Sequence, residues 1–495
     1  MKHFHIPLII KTVNKAFKNA GFEAFLVGGC VRDILEGKIP KDWDITTNAV
    51  PEETLKIFPD GKYENNFGTV LVPEKYISGE EDGKEIIEIT TYRMESPYSD
   101  KRHPDSVQFA KTLKEDLSRR DFTINAIALE IQEDDKYDDR RNIVDEFGGI
   151  EDLRDKKIRA VGDPWERFSE DALRMMRAVR FAVQLGFEIE PETFKAIKQN
   201  AGNLKLISKE RIRDELVKII CSNQPGKGIE LCVELGLMEY IIPEILDTIG
   251  IKQNRHHYHG PFNTVYKHMI ASLDKCPSKL FEVRLASFLH DIGKPGTKQG
   301  EGEFATFHGH EYLGARMTQK ILERLKFSRK IVDRTVLLVK NHMFYYDVNE
   351  VGESGVRRVV RKVGLENIND LIDVRIADRL GSGVPKAVPY KLRHFRYMVE
   401  KVSKDPISVK QLKIGGHDLM ESLNIKPGPE VGAILDVLLS EAIDDPSLNT
   451  KSALLKLAQD LKEKNLKSLR SLAKKKILQQ QKKQNTKIKK KYWVK

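Results

Sequence analysis

Residues 25–47, FLVGGCVRDILEGKIPKDWDITT, decide the fold of the N-terminal part of this chain. Their pattern predicts a strand over 25–27, a tight turn at Gly28 and Gly29, and a short helical segment that carries Arg32. Two glycines after a strand let backbone N–H groups approach a phosphate without a Cβ in the way. The segment therefore predicts a phosphate-holding turn in a domain of mixed strands and helices.

Asp42 and Asp44 follow on a second predicted strand, two residues apart, so that both side chains point to the same face. Two carboxylates beside a phosphate-holding turn suit a Mg²⁺ ion that bridges a nucleoside triphosphate. Two metals need more ligands, and Glu88, in the strand-like IIEITTYR, is the best third candidate. The alternatives are a surface pair of aspartates with an unrelated turn and an exposed strand glutamate.

The composition indicates a helix-rich protein of three or four compact units, because 495 residues exceed one domain and 40% are hydrophobic against 32% charged. No apolar run reaches membrane-spanning length, which argues against a membrane partner. The four cysteines form no CxxC pair and are too sparse for a disulfide framework. Reduced cytoplasm is the expected compartment.

The net charge of +11 is concentrated at the C-terminus. Residues 461–495 contain fourteen Lys or Arg and one acid, Glu463, which gives this tail +13 and leaves residues 1–460 at −2. Such a segment adds salt-dependent affinity for phosphate backbones that does not depend on sequence. A solvated disordered terminus is the alternative.

The organisation changes near residue 160, from mixed strands and helices, with a strand expected over 124–131, to helical spacing of apolar residues. The stretch ERFSEDALRMMRAVRFAVQLG predicts one long helix that ends at Gly186, and another begins at Ser208. We predict five units, which span 1–150, 151–250, 255–385, 386–460 and, as the basic tail, 461–495.

Two further segments carry groups for a nucleotide. RRDFTINA (119–126) supplies Arg120, whose planar guanidinium suits bidentate contacts to a triphosphate. On the long predicted helix, Asp171 and Arg174 together offer an acceptor and donors to a base edge. Arg177 is expected at the phosphates or in support, whereas Arg180 falls nearly opposite Asp171 on a straight helix. A basic turn and an ion-paired helix surface are the alternatives.

Seven motifs in this order carry a family resemblance over about residues 20–240: GGCVRD, KDWDITT, IEITTYR, DKRHPDSVQF, RRDFTINA, GDPWERFSEDALRMMRAVRFA and SKERIRDEL. Together they resemble the bacterial-type (class II) tRNA nucleotidyltransferases, which include CCA-adding enzymes and poly(A) polymerases. The resemblance implies an α+β fold, with a polymerase-β-like nucleotidyltransferase head over 1–150 followed by an all-α neck and body over 151–250 that bind nucleotide and RNA. It further implies an HD domain, a metal-dependent phosphohydrolase, over 255–385, and a helical tail made of the helical unit 386–460 and the basic segment 461–495.

The same resemblance implies template-independent addition of CCA to the tRNA 3′ end from CTP and ATP. Mg²⁺ would be held by Asp42 and Asp44, with Glu88 as the third acid. The residues expected to contact the nucleotide are Gly28, Gly29, Arg32, Arg120, Asp171, Arg174, Arg177 and Arg180. The full-length loop DKRHPDSVQF disfavours CC-only addition and poly(A) synthesis, while addition of the terminal A alone stays open.

A second constellation lies in VYKHMI, LASFLHDIGK, FHGHEYLG, VKNHMFYY and VRIADRLG. Imidazole and carboxylate side chains together suit a divalent transition metal or Mg²⁺. The ordered set resembles the HD-domain metal phosphohydrolases, with His268, His290, Asp291 and Asp378 as the basic four ligands. His310 and His342 match the extra histidines of two-metal members, and His308 has no assigned place.

Two other classes of function stay open at this point. One is a hydrolase of RNA ends or nucleotides in which the HD domain dominates, with a divalent metal of unknown identity. The other is an RNA-binding module that acts through its basic tail. The sequence does not indicate the oligomeric state or the substrate of the HD domain.

Overall fold

The structure is a computed structural model that divides into two compact units, Met1–His342 with Asp373–Val384, and Met343–Ile372 with Pro385–Lys495. It describes residues 2–3, 5–64, 68–73, 86–95, 107–133, 136–137, 142–253, 263–384, 388–403, 409, 412–462 and 465–494. Most of the loop on which the subtype expectation rests, residues 96–106, lies outside the described residues. The five-unit division predicted from the sequence stays a prediction.

A seven-stranded mixed sheet forms the centre of the N-terminal part. In spatial order its strands are Ile143–Val144, Ala128–Glu130, Ala24–Val27, Asp44–Thr47, Ile86–Thr91, Thr69–Pro73 and Lys62–Tyr63. The fourth and fifth strands in this order pair in parallel, and the other neighbours are antiparallel. The parallel register sets Asp44 opposite Glu88. The sheet therefore brings together two acids that are 44 positions apart in the chain.

Five helices accompany this sheet: Leu8–Asn19, Gly29–Leu35, Pro51–Ile57, Leu113–Ser118 and Gly149–Arg154. The first helix is amphipathic and buries Ile10, Val13 and Phe17 in the core that the sheet shares. Three two-stranded pairs lie outside the main sheet: Lys2–His3 with Lys136–Tyr137, Arg93–Glu95 with Val107–Phe109, and Lys157–Ile158 with Glu188–Ile189.

The strand expected over 124–131 is wrong in its first half. Residues Thr123–Asn125 form a 3₁₀ turn, and the strand is only Ala128–Glu130. The Asn125 N–H donates to the Phe122 carbonyl at 2.9 Å, which closes the turn. The residues of this turn are buried, and a buried turn gives the same apolar run in the sequence as a buried strand.

The helices after the sheet are Pro164–Glu170, Leu173–Leu185, Pro191–Asn200, Lys209–Ile220, Pro225–Glu234 and Met238–Ile241. Gly186 ends the second of them in a left-handed conformation, as predicted. Short 3₁₀ segments occupy Ala201–Leu206 and Pro243–Thr248.

The single long helix expected over 166–186 is wrong, because the chain breaks at Asp171. That residue has an extended backbone, φ −136° and ψ 102°. Its carboxylate accepts a hydrogen bond from the Leu173 N–H at 3.0 Å. A short polar side chain that bonds nearby backbone competes with a continuous helix and starts the next one.

The histidine-bearing part is built from Val265–Asp274, Phe281–Leu289, Lys294–Thr297, His310–Arg324 and Arg329–Asn341, with a 3₁₀ turn at Gly302–Phe304. The helix Ile368–Gly381 completes it from residue 373 onward. The predicted metal ligands therefore come from several helices of the first unit.

The second unit contains the helices Glu353–Val363, Tyr390–Ser403, Gly416–Leu423, Pro429–Asp444, Lys451–Lys462 and Leu466–Lys491, with 3₁₀ turns at Leu365–Asn367 and Pro446–Leu448. Leu419, Leu438 and Leu454 lie at the centre of its core. The basic tail is helical, so the alternative of a disordered terminus is wrong. Within the described ranges, no helix combines the length and the hydropathy needed to cross a membrane.

Candidate functional site

A cavity of about 410 Å³ collects most of the residues predicted to hold a nucleotide. Its lining includes Gly28, Gly29, Arg32, Asp44, Arg120, Asp171, Arg174 and Arg177. Asp42, Glu88 and Arg180 do not line it. The cavity also includes residues that the sequence reasoning did not assign, namely Arg119, Asp121, Asn125, Leu173, Phe181 and Arg211.

The glycine turn forms one wall of this cavity. Gly28 has φ 76°, a conformation that costs little only for glycine. A Cβ built there would lie 3.1 Å from Arg120 Nη1 and 3.5 Å from Asp44 Oδ2. Because Gly28 has no side chain, Arg120 and Asp44 can both approach the turn.

The three predicted metal-binding acids are placed differently from one another. Asp44 begins its strand and is half-buried, whereas Asp42 precedes the strand and is exposed, so Asp42 does not lie on the strand on which it was predicted. Burial raises the pKa of Asp44, Asp42 adds to this, and Arg120 opposes it. Burial also raises the pKa of Glu88, followed by repulsion from Asp44 and Glu64. Carboxylates that repel one another in this way suit a bound divalent cation.

Two arginines of the cavity are anchored by one buried carboxylate. Asp116 is 0% exposed and lies 2.6 Å from Arg119 Nη2 and 3.1 Å from Arg120 Nη2. Burial alone would raise its pKa, but the two guanidinium groups lower it. Asp116 therefore stays charged and fixes the direction from which Arg120 reaches the glycine turn.

A second carboxylate, Asp121, links the two sides of the cavity. Arg177 Nε donates to it at 2.7 Å, and the Asn125 amide donates to its other oxygen at 3.2 Å. Asn125 in turn accepts a hydrogen bond from Arg32 Nη1 at 2.9 Å. Although burial would raise the pKa of Asp121, Arg177 and Asn125 lower it. Two predicted phosphate-binding arginines are thus held by one network.

The predicted base-reading pair lines the cavity, but both members already have partners. Asp171 Oδ2 lies 2.7 Å from Arg211 Nη2, on the helix that begins after Ser208. Arg174 is 8% exposed at its side chain and lies 2.6 Å from Glu170 Oε2. Arg211 is in SKERIRDEL, so its motif had been recognised, but its contact across the break at Asp171 depends on the tertiary fold.

Arg180 is set apart from the other arginines. Its Nε lies 2.9 Å from the buried Glu215, and its guanidinium carbon stands 4.2 Å from the centre of the Phe181 ring. Burial lowers its pKa, which Glu215 counteracts. Arg180 does not line the cavity itself but packs against Phe181, which does.

The second site is a buried centre of four histidines and two aspartates. The ligand atoms of His268, His290 and Asp378 lie within 4.8 Å of one another, and so do those of Asp291, His310 and His342. Asp291 joins the two groups, because Oδ2 lies 3.3 Å from His268 Nε2 and Oδ1 lies 3.3 Å from His310 Nε2. All six predicted HD ligands therefore converge, and the exposed His308 stays outside the two groups.

Backbone carbonyls fix the orientation of three imidazoles in this centre. Nδ1 of His290, His310 and His342 lies 2.6–2.8 Å from a carbonyl three residues earlier in each case. This tautomer leaves Nε2 with a lone pair, and His310 and His342 place these atoms 3.3 Å apart. Two lone pairs at that distance repel unless a cation lies between them.

The charges of the centre also favour cation binding. Burial and the neighbouring His290 lower the pKa of His342 to about 3, so this histidine is neutral. Burial would lower the pKa of His268, but hydrogen bonds to Asp291 and Asp378 raise it to about 9. Lys294 Nζ, 2.6 Å from Asp291, and Arg375 Nη1, 2.7 Å from Asp378, hold the two carboxylates in place. The donor set is that of a hydrolytic metal centre with two adjacent positions.

The chain matches three family models, in the same order as these features. They are described as "Poly A polymerase head domain" over residues 24–159, "Probable RNA and SrmB- binding site of polymerase A" over 186–248, and "HD domain" over 265–382. The cavity is lined by residues of the first match, of the stretch between the first two matches and of the second match, and the histidine centre lies in the third. Fold and site thus define a nucleotidyltransferase with an HD domain, and both of these domains typically use divalent metals.

Relatives along the whole chain give the family. The chain is 34% identical to a CCA-adding enzyme of Ligilactobacillus salivarius, covering 91% of this chain and 95% of that protein. It is also 34% identical to one from Pediococcus pentosaceus, over 92% and 98% of the two chains. A crystal structure of the Bacillus stearothermophilus CCA-adding enzyme in complex with CTP matches with TM-score 0.57 and 27% identity, covering 92% of this chain and 98% of that one. The chain belongs to the CCA-adding enzymes, which are tRNA nucleotidyltransferases.

Proposed function

We propose that this chain completes the 3′ CCA end of tRNA from CTP and ATP, with the cavity at the glycine turn as the single nucleotide site. The observation that carries this proposal is the meeting of Asp44, the turn and five predicted nucleotide-binding arginine or aspartate side chains in one 410 Å³ cavity. Phosphate-binding and base-reading groups there face the same space, as a template-independent polymerase requires.

The residues divide by chemistry. Arg32, Arg120 and Arg177 offer planar donors to the triphosphate, and the turn leaves room for backbone N–H groups. Asp42, Asp44 and Glu88 would hold Mg²⁺, which suits their oxygen donors and their mutual repulsion. Bound there, Mg²⁺ would supply charge neutralisation for the 3′-hydroxyl nucleophile and the pyrophosphate leaving group.

Base selection would use Asp171 as acceptor and Arg174 as donor. Both are held by ion pairs, with Arg211 and Glu170 respectively. A base edge that fits must therefore replace these partners, while one that leaves an aspartate or arginine unpaired is rejected, since a buried unpaired charge is costly. Discrimination thus comes from protein groups and not from a template strand.

An incorporation assay tests the proposed reaction. Three tRNA ends, lacking CCA, ending in C and ending in CC, are given labelled CTP, ATP or both with Mg²⁺. Growth of all three to a complete CCA end is expected. Growth only of the CC-ended tRNA with ATP makes this an A-adding enzyme, and extension by many adenylates makes it a poly(A) polymerase.

The histidine centre favours a second activity, the metal-dependent hydrolysis of phosphate esters on RNA ends or nucleotides. Its support is the convergence of six buried ligands around two positions bridged by Asp291. Replacing His290 and Asp291 together by alanine should remove any hydrolysis of a phosphatase substrate in Mn²⁺ and spare nucleotide incorporation. We also infer a reducing compartment, the cytoplasm, because all four cysteines are free thiols.

A further inference from the structure

The C-terminal helix Leu466–Lys491 is attached to the second unit by one narrow stripe. Ala473 is buried in the unit's core and Ile477 packs against it. Further along, Ile488 is buried, and Asn485 accepts a hydrogen bond from the Tyr397 hydroxyl at 2.5 Å. Ala473, Ile477 and Ile488 are thus used for packing within the second unit.

The opposite side of the helix carries a row of exposed lysines. These are Lys475, Lys482, Lys483, Lys487 and Lys490, called here the lysine face. At ~100° per residue they span an arc of about 140°, centred roughly opposite Ile477, and extend about 22 Å along the axis. The sequence of the helix, LKSLRSLAKKKILQQQKKQNTKIKKK, contains no acid.

The positive charge of the lysine face is not balanced within the described part of the chain. None of its five lysines pairs with an acid of the described residues, whereas Lys491 pairs with Glu400 at 2.7 Å and Arg470 with Asp436 at 3.8 Å. Like charges three or four positions apart, such as Lys483 and Lys487, destabilise a helix. A polyanion laid along this face relieves that repulsion.

The end of the helix adds an aromatic group to the same unit. Tyr492 donates a hydrogen bond to Glu400 at 2.9 Å and Val494 is buried, which anchors the terminus. Between them Trp493 adopts φ 49° and is 76% exposed. Arg393 donates to the Trp493 carbonyl at 3.4 Å. Trp493 is thus an exposed indole whose backbone is held by Arg393, and an exposed indole is a platform on which an unpaired base can stack.

We propose that the lysine face and Trp493 form an RNA-binding surface on the second unit, in addition to the RNA-binding segment matched over 186–248. The lysines bind the phosphate backbone as point charges and read no sequence. That the RNA is tRNA rests on the proposed function.

The chemistry of this surface favours RNA over a membrane. An amphipathic helix binds lipid by burying an apolar face, and the apolar stripe of this helix is already covered. Among its described positions, Leu478 is the one large apolar residue that is exposed. Polar residues, chiefly lysine and glutamine, occupy the rest of the outward side among the described positions, which suits a hydrated phosphate backbone.

The test compares two full-length variants with the wild type. In one, all five lysines of the face are replaced by glutamine; in the matched control they are replaced by arginine, which keeps the charge. The Kd for tRNA that lacks CCA is measured by fluorescence anisotropy between about 50 and 200 mM salt. Circular dichroism confirms helix content, and the pair K483Q/K487Q serves if the five-fold variant unfolds.

The glutamine variant should bind tRNA at least about 10-fold more weakly near 0.1 M salt, and its log–log salt slope should shrink by about 2 to 4. The arginine variant should match the wild type. Trp493→Ala should weaken binding by about 5-fold with the slope unchanged, since stacking is not an ionic contact.

An unchanged Kd and slope in the glutamine variant overturn the proposal. The proposal is also overturned if the glutamine variant binds tRNA as the wild type does but binds vesicles of phosphatidylserine and phosphatidylcholine more weakly. Incorporation separates this inference from the proposed function, because the glutamine variant should still incorporate nucleotide but with a KM for tRNA raised by about the same factor as the Kd. If the wild type incorporates no nucleotide while the glutamine variant still binds tRNA more weakly than the wild type, the proposed function is wrong and the RNA-binding surface is supported.

Discussion

The nucleotide cavity and the histidine centre differ in how their charged and polar side chains are compensated. In the cavity most charged side chains have an opposite partner within the protein, such as Asp121 with Arg177 or Asp171 with Arg211, whereas Asp44 is repelled by Asp42. In the centre, imidazole nitrogens lie close to one another and to a shared carboxylate, since His310 Nε2 lies 3.3 Å from both His342 Nε2 and Asp291 Oδ1. A nucleotide that binds in the cavity therefore replaces existing ion-pair partners of the protein. The donor atoms of the histidine centre instead require a cation to offset their negative charge and lone pairs.

This difference predicts what each site tolerates. Removal of one group from the cavity leaves its partner charged, so the effect appears in substrate binding and specificity. Removal of one ligand from the centre weakens a bound cation and, with it, the stability gained by binding. The following predictions are ordered from the largest expected effect to the smallest.

Asp44→Asn should reduce nucleotide incorporation by at least about 10³-fold, equivalent to about 4 kcal/mol in the barrier, since a neutral amide holds a divalent cation poorly. The fold should be retained because the two side chains have nearly the same shape. Steady-state incorporation of CTP, together with thermal unfolding, measures both. The exposed Asp60→Asn is the control, and comparable activity of the two variants would remove Asp44 from the metal site.

Mn²⁺ should raise the thermal unfolding midpoint of the wild type relative to chelated protein. A ligand at 100 times its Kd stabilises a fold by about 2.7 kcal/mol. His342→Gln should abolish most of this shift, because the neutral histidine contributes a ligand atom. Scanning calorimetry with and without Mn²⁺ provides the measurement, and His308→Gln is the matched control. An equal shift in both variants would show that the cation binds elsewhere.

Asp116→Asn should raise the KM for CTP by about 10-fold or more, because Arg119 and Arg120 lose the charge that orients them. The pH dependence of stability should change too. The lowered pKa of Asp116 means that its stabilisation is present above the ordinary aspartate value near 4 and is lost as the pH falls through the folded-state pKa.

The check for Asp116 is a comparison of unfolding free energies from neutral to acid pH. The variant should be less stable than the wild type near neutrality, and the gap should narrow in acid. A KM that is unchanged while stability falls would assign this residue to the fold alone.

Arg211→Met should change the ratio of kcat/KM for CTP and ATP by about 5-fold, since Asp171 loses the ion pair that sets its position. Arg213→Met, on the same helix but away from the cavity lining, is the control. Single-nucleotide incorporation on tRNA ending in C and in CC gives both values. A ratio equal to that of the control would mean that Arg211 only packs the helix.

Much of both sites was predictable because local motifs carry them. The glycine turn, RRDFTINA and the His290–Asp291 pair each bring several reactive groups close in sequence, so their chemistry is visible without a fold. The helix that ends at Gly186 and the helix that begins after Ser208 are confirmed as well. Local rules suffice for these features because the relevant contacts span a few residues.

The break at Asp171 was not predictable from helical spacing. Apolar residues on both sides keep a helical period, and the interruption arises when the Asp171 carboxylate bonds the Leu173 N–H and Arg211. The second of these partners is 40 positions away. The 3₁₀ turn at Thr123–Asn125 has the same origin, because its burial depends on neighbours from other segments.

The sequence by itself determined the residue types, the family and the concentration of positive charge in the last 35 positions. The tertiary structure alone decided which charges are paired. In the structure, Glu88 lies opposite Asp44 and Arg211 forms an ion pair with Asp171. Arg180 packs over the Phe181 ring, and the lysine face has no acid partner among the described residues. The physical reason is that an ion pair requires a separation of about 4 Å between atoms, a distance that folding sets and that sequence separation does not.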